Sequence, residues 1–156
     1  MKRRSILAAL VLLAPPCVAG AQLRAAPPLD LPSGMAALPH GAFRVSFRAG
    51  DAALPQGIAP TLAELGRLLS AVPAGTGRIT VQGQASGPAD DPSTARRLSL
   101  ARAIEVRRAL VAGGLEETRV DVRPLGITPA GLDAADILPP AARAAGAEQP
   151  RGGQGR

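Results

Sequence analysis

Apolar and polar residues alternate along three short segments of the chain. In residues 43–48 two phenylalanines and a valine alternate with arginine and serine. The same order recurs in residues 79–82 and 119–123, where isoleucine or valine alternates with threonine, glutamine, aspartate or arginine. Because side chains of a strand point alternately to its two faces, this pattern predicts three strands, each with one buried face.

Two further segments carry apolar residues at helical spacing. The stripes consist of Leu62, Leu65, Leu69 and Val72 in the first segment and Leu100, Ala103, Val106 and Leu110 in the second. Pro60 suits the first turn of one helix, and Pro73 with Gly75 ends it. Ser93 is the predicted cap of the other helix, which Gly113 ends.

The predicted order is strand-helix-strand-helix-strand within residues 41–126. Strands that alternate with helices need crossover connections, which are typical of an α/β sandwich. About 86 residues bury on the order of 60% of the surface that the unfolded chain exposes, which suffices for one domain. The sequence therefore predicts a single small α/β domain.

The amino terminus has the pattern of an export signal. Residues 2–4 are basic, residues 6–14 are apolar and uncharged, and residues 19–21 have the small side chains that a signal peptidase needs. The apolar run is far shorter than the ~20 residues of a membrane-spanning helix. We predict that residues 1–21 are removed, which leaves Gln22 first and no membrane span. A short anchor that is never cleaved is the alternative.

Cys17 raises a second alternative, because lipoproteins are cleaved before a cysteine that is then acylated. Such a site needs a large aliphatic residue three positions earlier and a small one directly before, but Ala14 and Pro16 stand there. We therefore assign Cys17 to the discarded peptide. The mature chain then has no cysteine for disulfides or thiolate metal sites. The predicted location is the periplasm, with outer-membrane association left open, and no cofactor or metal is expected.

The two segments outside the predicted domain are rich in alanine and proline. Residues 22–40 have no sustained period and are interpreted as a linker. Residues 127–156 have few bulky apolar groups to offset the entropy of ordering, which favours disorder. A short helix near residues 141–145 is the one element expected there.

The net charge does not point to nucleic acid. The formal charge of +6 falls to near +3 once the three basic residues of the signal are removed. The chain has no Tyr or Trp, and its only aromatic residues are Phe43 and Phe47. It therefore lacks the stacking surface that single strands need, and no nucleic-acid partner is expected.

Three segments resemble a known family. They are FRAGDAAL (47–54), TVQGQASG (80–87) and the long run 96–126, which contains Leu-Ser-x-x-Arg-Ala at 98–103. The resemblance is to the OmpA-like domain, found in outer-membrane protein A, peptidoglycan-associated lipoproteins and flagellar stator proteins of the MotB type. It implies a small two-layer β-α-β-α-β sandwich, with a mixed sheet and two helices on one face.

The resemblance also implies non-covalent binding of peptidoglycan through the diaminopimelate of its stem peptide. In the family an arginine and an aspartate pair with the two charges of that zwitterion. Arg102 keeps the arginine of the motif. The family's Gly-His-Thr-Asp turn is changed, so that Gln84, Ala85 and Ser86 replace its last three residues. The predicted binding residues are Arg102, Ser86, Gln84, Asp90 and Asp91, of which the last two are placed to substitute for the missing aspartate.

No pattern of catalytic residues accompanies these candidates. His40 is the only histidine and lies in the predicted linker, and Ser99 has no histidine near it. The interpretation is therefore a non-catalytic periplasmic envelope protein that binds peptidoglycan weakly, with another envelope protein as a further partner. The alternative is an interaction or scaffold module that has kept the fold and lost the ligand.

Overall fold

The computed structural model describes residues 29–72 and 77–148, which form a five-stranded sheet with three helices. In chain order the elements are β1 (Met35–Ala37), β2 (Phe43–Ser46), α1 (Ile58–Ser70), β3 (Ile79–Gln84), α2 (Pro92–Ala112), β4 (Val120–Gly126), β5 (Ala134–Leu138) and α3 (Pro140–Glu148). Single 3-10 turns precede β2 at Pro39–Gly41 and precede β4 at Glu117–Arg119. The predicted order of three strands and two helices is confirmed as β2-α1-β3-α2-β4.

The strand order across the sheet is β1-β2-β5-β3-β4. The strands β3 and β4 are parallel and are joined by α2, whereas every other neighbouring pair is antiparallel. The predicted mixed sheet is therefore confirmed. The strand β5 lies at its centre, since Ala135 is opposite Val45 of β2 on one side and Gly83 of β3 on the other.

The central position of β5 corrects the prediction that residues 127–156 are disordered. This strand has two alanines and few bulky side chains, but hydrogen bonds to strands on both sides satisfy its backbone. The small side chains also suit a strand that is buried in the middle of a sheet. The expected short helix is present as α3, and residues 149–156 lie outside the described part of the chain.

The predicted linker 22–40 is also partly structured. The strand β1 lies within it and pairs with β2, so the fold begins before the predicted domain boundary at residue 41. Residues 22–28 and the predicted signal peptide 1–21 lie outside the described residues. The same holds for Pro73 and Gly75, which were expected to end the first helix.

Both α1 and α2 pack on one face of the sheet, as predicted. The core between them is formed by apolar side chains that are almost fully buried: Val45, Ile58, Leu62, Leu65, Ile79, Val81, Val106, Leu110 and Ile137. Two glycines bring α2 close to its neighbours. A Cβ on Gly83 would lie 1.9 Å from the backbone oxygen of Ser99, and one on Gly66 would lie 2.1 Å from that of Leu110. The close approach at Gly83 sets the position of α2 over the end of β3.

Candidate functional site

The guanidinium of Arg102 lies where α2 crosses the end of β3. The side chain is completely buried and donates four hydrogen bonds within the chain. Its Nε donates to the carbonyl of Asp51 at 2.7 Å, and Nη2 donates to the carbonyl of Arg48 at 2.8 Å. Its Nη1 donates to the carbonyl of Gln84 and to Oδ1 of Asp133, both at 2.7 Å. Arg102 thus joins the loop after β2, the end of β3 and the segment before β5.

A buried charge is costly unless it is paired and hydrogen-bonded, and Arg102 meets both conditions. The carboxylate of Asp133 supplies the opposite charge. The ring of Phe47 also faces the guanidinium, with its centroid 5.2 Å from Cζ, which is within cation–π distance. The arginine of the family motif is therefore an internal part of the fold as well as a member of the candidate site.

Asp133 is held by groups from α2 and from the segment that follows β3. Its Oδ1 accepts hydrogen bonds from Arg102 and from the backbone N–H of Ser86, the latter at 3.2 Å, and its Oδ2 accepts one from the hydroxyl of Ser86 at 2.6 Å. Burial raises the pKa of Asp133, but the hydrogen bonds from Ser86 and Arg102 outweigh burial, and the pKa lies below its ordinary value. The carboxylate is therefore ionised at neutral pH and remains 16% exposed.

Gln84 contributes to this cluster only through its backbone carbonyl. The Nε2 of its side chain donates to Oδ2 of Asp136 at 3.0 Å, and its Oε1 accepts from the hydroxyl of Thr128 at 2.9 Å. Asp136 also accepts two parallel hydrogen bonds from Arg44, at 2.7 and 2.8 Å. The side chain of Gln84 thus belongs to a second ion-paired cluster, which Arg44 and Asp136 form.

The two aspartates predicted to replace the family's aspartate lie at the start of α2. Asp91 is the cap of this helix in place of the predicted Ser93, because its Oδ1 accepts from the backbone N–H of Thr94 at 2.9 Å. Hydrogen bonds from the hydroxyl and N–H of Thr94 lower the pKa of Asp91. Asp90 is exposed. Neither aspartate is among the hydrogen-bond partners of Arg102 described above.

The structure therefore brings together Arg102, Ser86 and the carbonyl of Gln84. Sequence reasoning missed Asp133, the acidic member of the cluster, because it lies in the segment predicted to be disordered. The available signal was the run Ala134–Leu138, which stands between Gly131 and Pro139 in the manner of a short strand. An aspartate at the start of that strand would then have been a candidate.

A shallow surface groove of about 330 Å³ adjoins the loop that holds Arg102. It is lined by Arg48, Asp51, Ala53, Leu54, Pro55 and Gln56. Within residues 29–72 and 77–148 no three acidic or histidine side chains converge so as to hold a metal ion. Over the same ranges, none of the helices is both long enough and apolar enough to span a bilayer.

The sequence of residues 46–136 matches the OmpA family. This match extends from the end of β2 to Asp136, so it contains Arg102, Ser86 and Asp133. No curated protein is a significant match to the chain.

Two solved structures illustrate the fold similarity. One is the peptidoglycan-associated lipoprotein from Burkholderia pseudomallei, with a TM-score of 0.52 and 20% identity over 61% of this chain and 87% of that one. The other is the periplasmic domain of Helicobacter pylori MotB, with a TM-score of 0.51 and 13% identity over 62% and 73% of the two chains. At these identities the similarity shows a shared fold.

Proposed function

Because this chain belongs to the OmpA family, we propose that it is a non-catalytic protein of the cell envelope that binds peptidoglycan weakly. The predicted export signal would direct it to the periplasm, where the domain would contact the stem peptides of the wall. Members of the family are typically envelope proteins that bind peptidoglycan, which supports the general class. The ligand and the site are our proposal for this chain.

The observation that carries the proposal is the cluster of Arg102, Asp133 and Ser86. It unites both charges of an ion pair with an exposed hydroxyl, at a point where three separate segments of the chain converge. A charged group that is fixed in place before binding loses little conformational entropy when a ligand arrives. Of the other predicted residues, Asp90 is exposed and available to a ligand, whereas Asp91 and the side chain of Gln84 are engaged in internal hydrogen bonds.

The proposal is tested by co-sedimentation of the purified mature protein with purified peptidoglycan sacculi. Since the mature chain is basic, sedimentation should be measured over a range of salt concentrations, because non-specific attraction between exposed charges is screened by salt. We expect a bound fraction that persists at physiological ionic strength. Binding that disappears entirely as salt reaches this level would indicate attraction to the basic surface alone.

One observation favours the second candidate function, an interaction or scaffold module. The guanidinium of Arg102 is wholly buried, and its acceptors described above all belong to the chain itself. In this state the arginine cannot contact a ligand directly. A folded protein that fails to sediment with sacculi under any condition would support the scaffold function over peptidoglycan binding.

A further inference from the structure

We infer that Asp133 is the charged group that this site presents to its ligand, that it binds a primary ammonium, and that Arg102 is a positioning residue which orients it. The inference rests on the proposed binding of peptidoglycan and names the residue and the end of the ligand involved. It reverses the expectation from sequence, in which Arg102 contacts the ligand and the acidic partner comes from the start of α2.

Exposure separates the two charged partners. The side chain of Arg102 is 0% exposed, whereas that of Asp133 is 16% exposed. A ligand that approaches the folded domain therefore meets the carboxylate first. The exposed hydroxyl of Ser86 lies beside it, 2.6 Å from Oδ2. The accessible chemistry of the site is thus an anion with an adjacent hydroxyl.

The hydrogen bonds of Asp133 leave room for one more donor. Its Oδ1 accepts two hydrogen bonds, from Arg102 and from the N–H of Ser86, whereas Oδ2 accepts one, from the Ser86 hydroxyl. An ionised carboxylate has about four lone-pair sites, so Oδ2 retains one acceptor position. A primary ammonium has three donors and no acceptor, which makes it the complementary group.

The backbone of Asp133 is fixed as firmly as its side chain. The N–H of Phe47 donates to the carbonyl of Asp133 at 2.8 Å, which ties this residue to the end of β2. Arg102 in turn lies over the ring of Phe47. The carboxylate therefore keeps its position without the ligand, and binding requires no rearrangement of the buried arginine.

The neighbouring carboxylates are less suited to this role. Asp91 caps α2 through Thr94. Asp136 accepts hydrogen bonds from Nε and Nη2 of Arg44 and from Nε2 of Gln84. Asp51 is exposed, but its Oδ1 accepts from the N–H of Ala53 at 2.9 Å within its own loop. Among these carboxylates, Asp133 alone is ion-paired to the arginine of the family motif and partly exposed.

The test compares three proteins on two forms of sacculi. The proteins are the mature wild type, Asp133→Asn and the matched control Glu116→Gln, which removes one negative charge from an exposed position at the opposite end of the sheet. The sacculi are either untreated or have their free amines acetylated, which removes the ammonium. Asparagine has the same shape as aspartate, and its Oδ1 can still accept from Arg102. Far-UV circular dichroism checks that each variant is folded.

We expect Asp133→Asn to weaken binding to untreated sacculi by about tenfold or more, because a charge-assisted hydrogen bond is lost. Glu116→Gln should bind as the wild type does. Acetylation should weaken wild-type binding to the level of Asp133→Asn and should have little further effect on that variant.

The possible failures are distinguishable. Wild-type protein that sediments equally with both forms of sacculi overturns the ammonium assignment but leaves peptidoglycan binding intact. Asp133→Asn that binds as well as the wild type, or more tightly, overturns the role of Asp133 in the same way. Wild-type protein that does not sediment at all overturns the proposed function and this inference with it. If Asp133→Asn does not fold, the comparison of acetylated with untreated sacculi on the wild type decides the assignment.

Discussion

Two arginine–aspartate pairs involve β5, one just before the strand and one at its middle, and they differ in which partner faces solvent. In the pair Arg102–Asp133 the arginine is 0% exposed and the aspartate 16%. In the pair Arg44–Asp136 the arginine is 30% exposed and the aspartate only 9%. Both pairs contact Gln84, which uses its carbonyl for the first and its side chain for the second.

The difference in exposure distinguishes the proposed ligand site from an ion pair with a structural role. Arg44 and Asp136 are direct partners across β2 and β5, so their ion pair stabilises the register of the central strand. The more exposed partner of this pair is Arg44, whose Nε and Nη2 already donate to the carboxylate of Asp136. In the other pair the outward group is a carboxylate with a free acceptor position, which can serve a ligand. The same two residue types thus have different uses, according to which of them is buried.

The largest expected effect is that of Arg102→Ala. This change leaves the carboxylate of Asp133 without its partner and removes the donor to the carbonyls of Arg48, Asp51 and Gln84. Breaking a buried ion pair by removing one partner costs about 3–5 kcal/mol. We expect a loss of that size in the free energy of unfolding, measured by urea denaturation at neutral pH.

The control for Arg102→Ala is Arg108→Ala, on the same helix. The side chain of Arg108 is 72% exposed and pairs with Glu105 one turn away, and such surface pairs contribute about 0–1 kcal/mol. A cost for Arg102→Ala no larger than that of Arg108→Ala would contradict the burial described here. If the expected cost is found, loss of binding in Arg102→Ala cannot by itself identify a ligand contact, which is why Asp133→Asn is the sharper variant.

Removal of the arginine from the pair Arg44–Asp136 should cost less stability than Arg102→Ala and should not affect binding. Arg44→Ala removes two charge-assisted hydrogen bonds, but Gln84 still donates to Asp136 and Arg44 is partly in water. We expect a loss of about 1–3 kcal/mol in the free energy of unfolding, at the lower end of this range. Sedimentation of the folded variant with sacculi should equal that of the wild type. A loss of binding as large as that of Asp133→Asn would remove the distinction between the two pairs.

The amino-acid sequence predicts those elements and site residues that a local pattern marks. The elements β2, α1, β3, α2 and β4 carry bulky apolar side chains at regular spacing, and a sequence motif singles out Arg102. The strand β5 escapes prediction because Ala134 and Ala135 give a weak pattern and its stability comes from pairing on both sides. Such pairing depends on β2 and β3, which are distant in the sequence, so the residues of β5 alone do not predict it.

The partners within the site are equally non-local. Asp133 is 31 residues from Arg102 and 47 from Ser86 in the chain, and only the insertion of β5 between β2 and β3 brings them together. The family resemblance implies a carboxylate in the site, and the nearest ones in the chain after the changed turn are Asp90 and Asp91. Helix capping is the local use of Asp91, and a local rule of this kind could have argued against its selection.

The smallest expected effect is a difference in acid sensitivity between the wild type and Asp133→Asn. The pKa of Asp133 in the folded protein lies below its ordinary value of 3.8, so the unfolded chain takes up the proton first as pH falls. The stability that the ionised carboxylate contributes is therefore present above about pH 4, and it is lost as pH falls through the lower pKa of the folded state. Asp133→Asn lacks this group, whereas other carboxylates with lowered pKa, such as Asp91 and Asp121, titrate in both proteins.

We expect the wild type to lose stability more steeply than the variant below pH 4 in urea denaturation series. Parallel curves of stability against pH for the two proteins would mean that Arg102 and Ser86 do not favour the ionised form of Asp133. That result would contradict the ion pair between Arg102 and Asp133, on which the comparison with Arg44 and Asp136 depends.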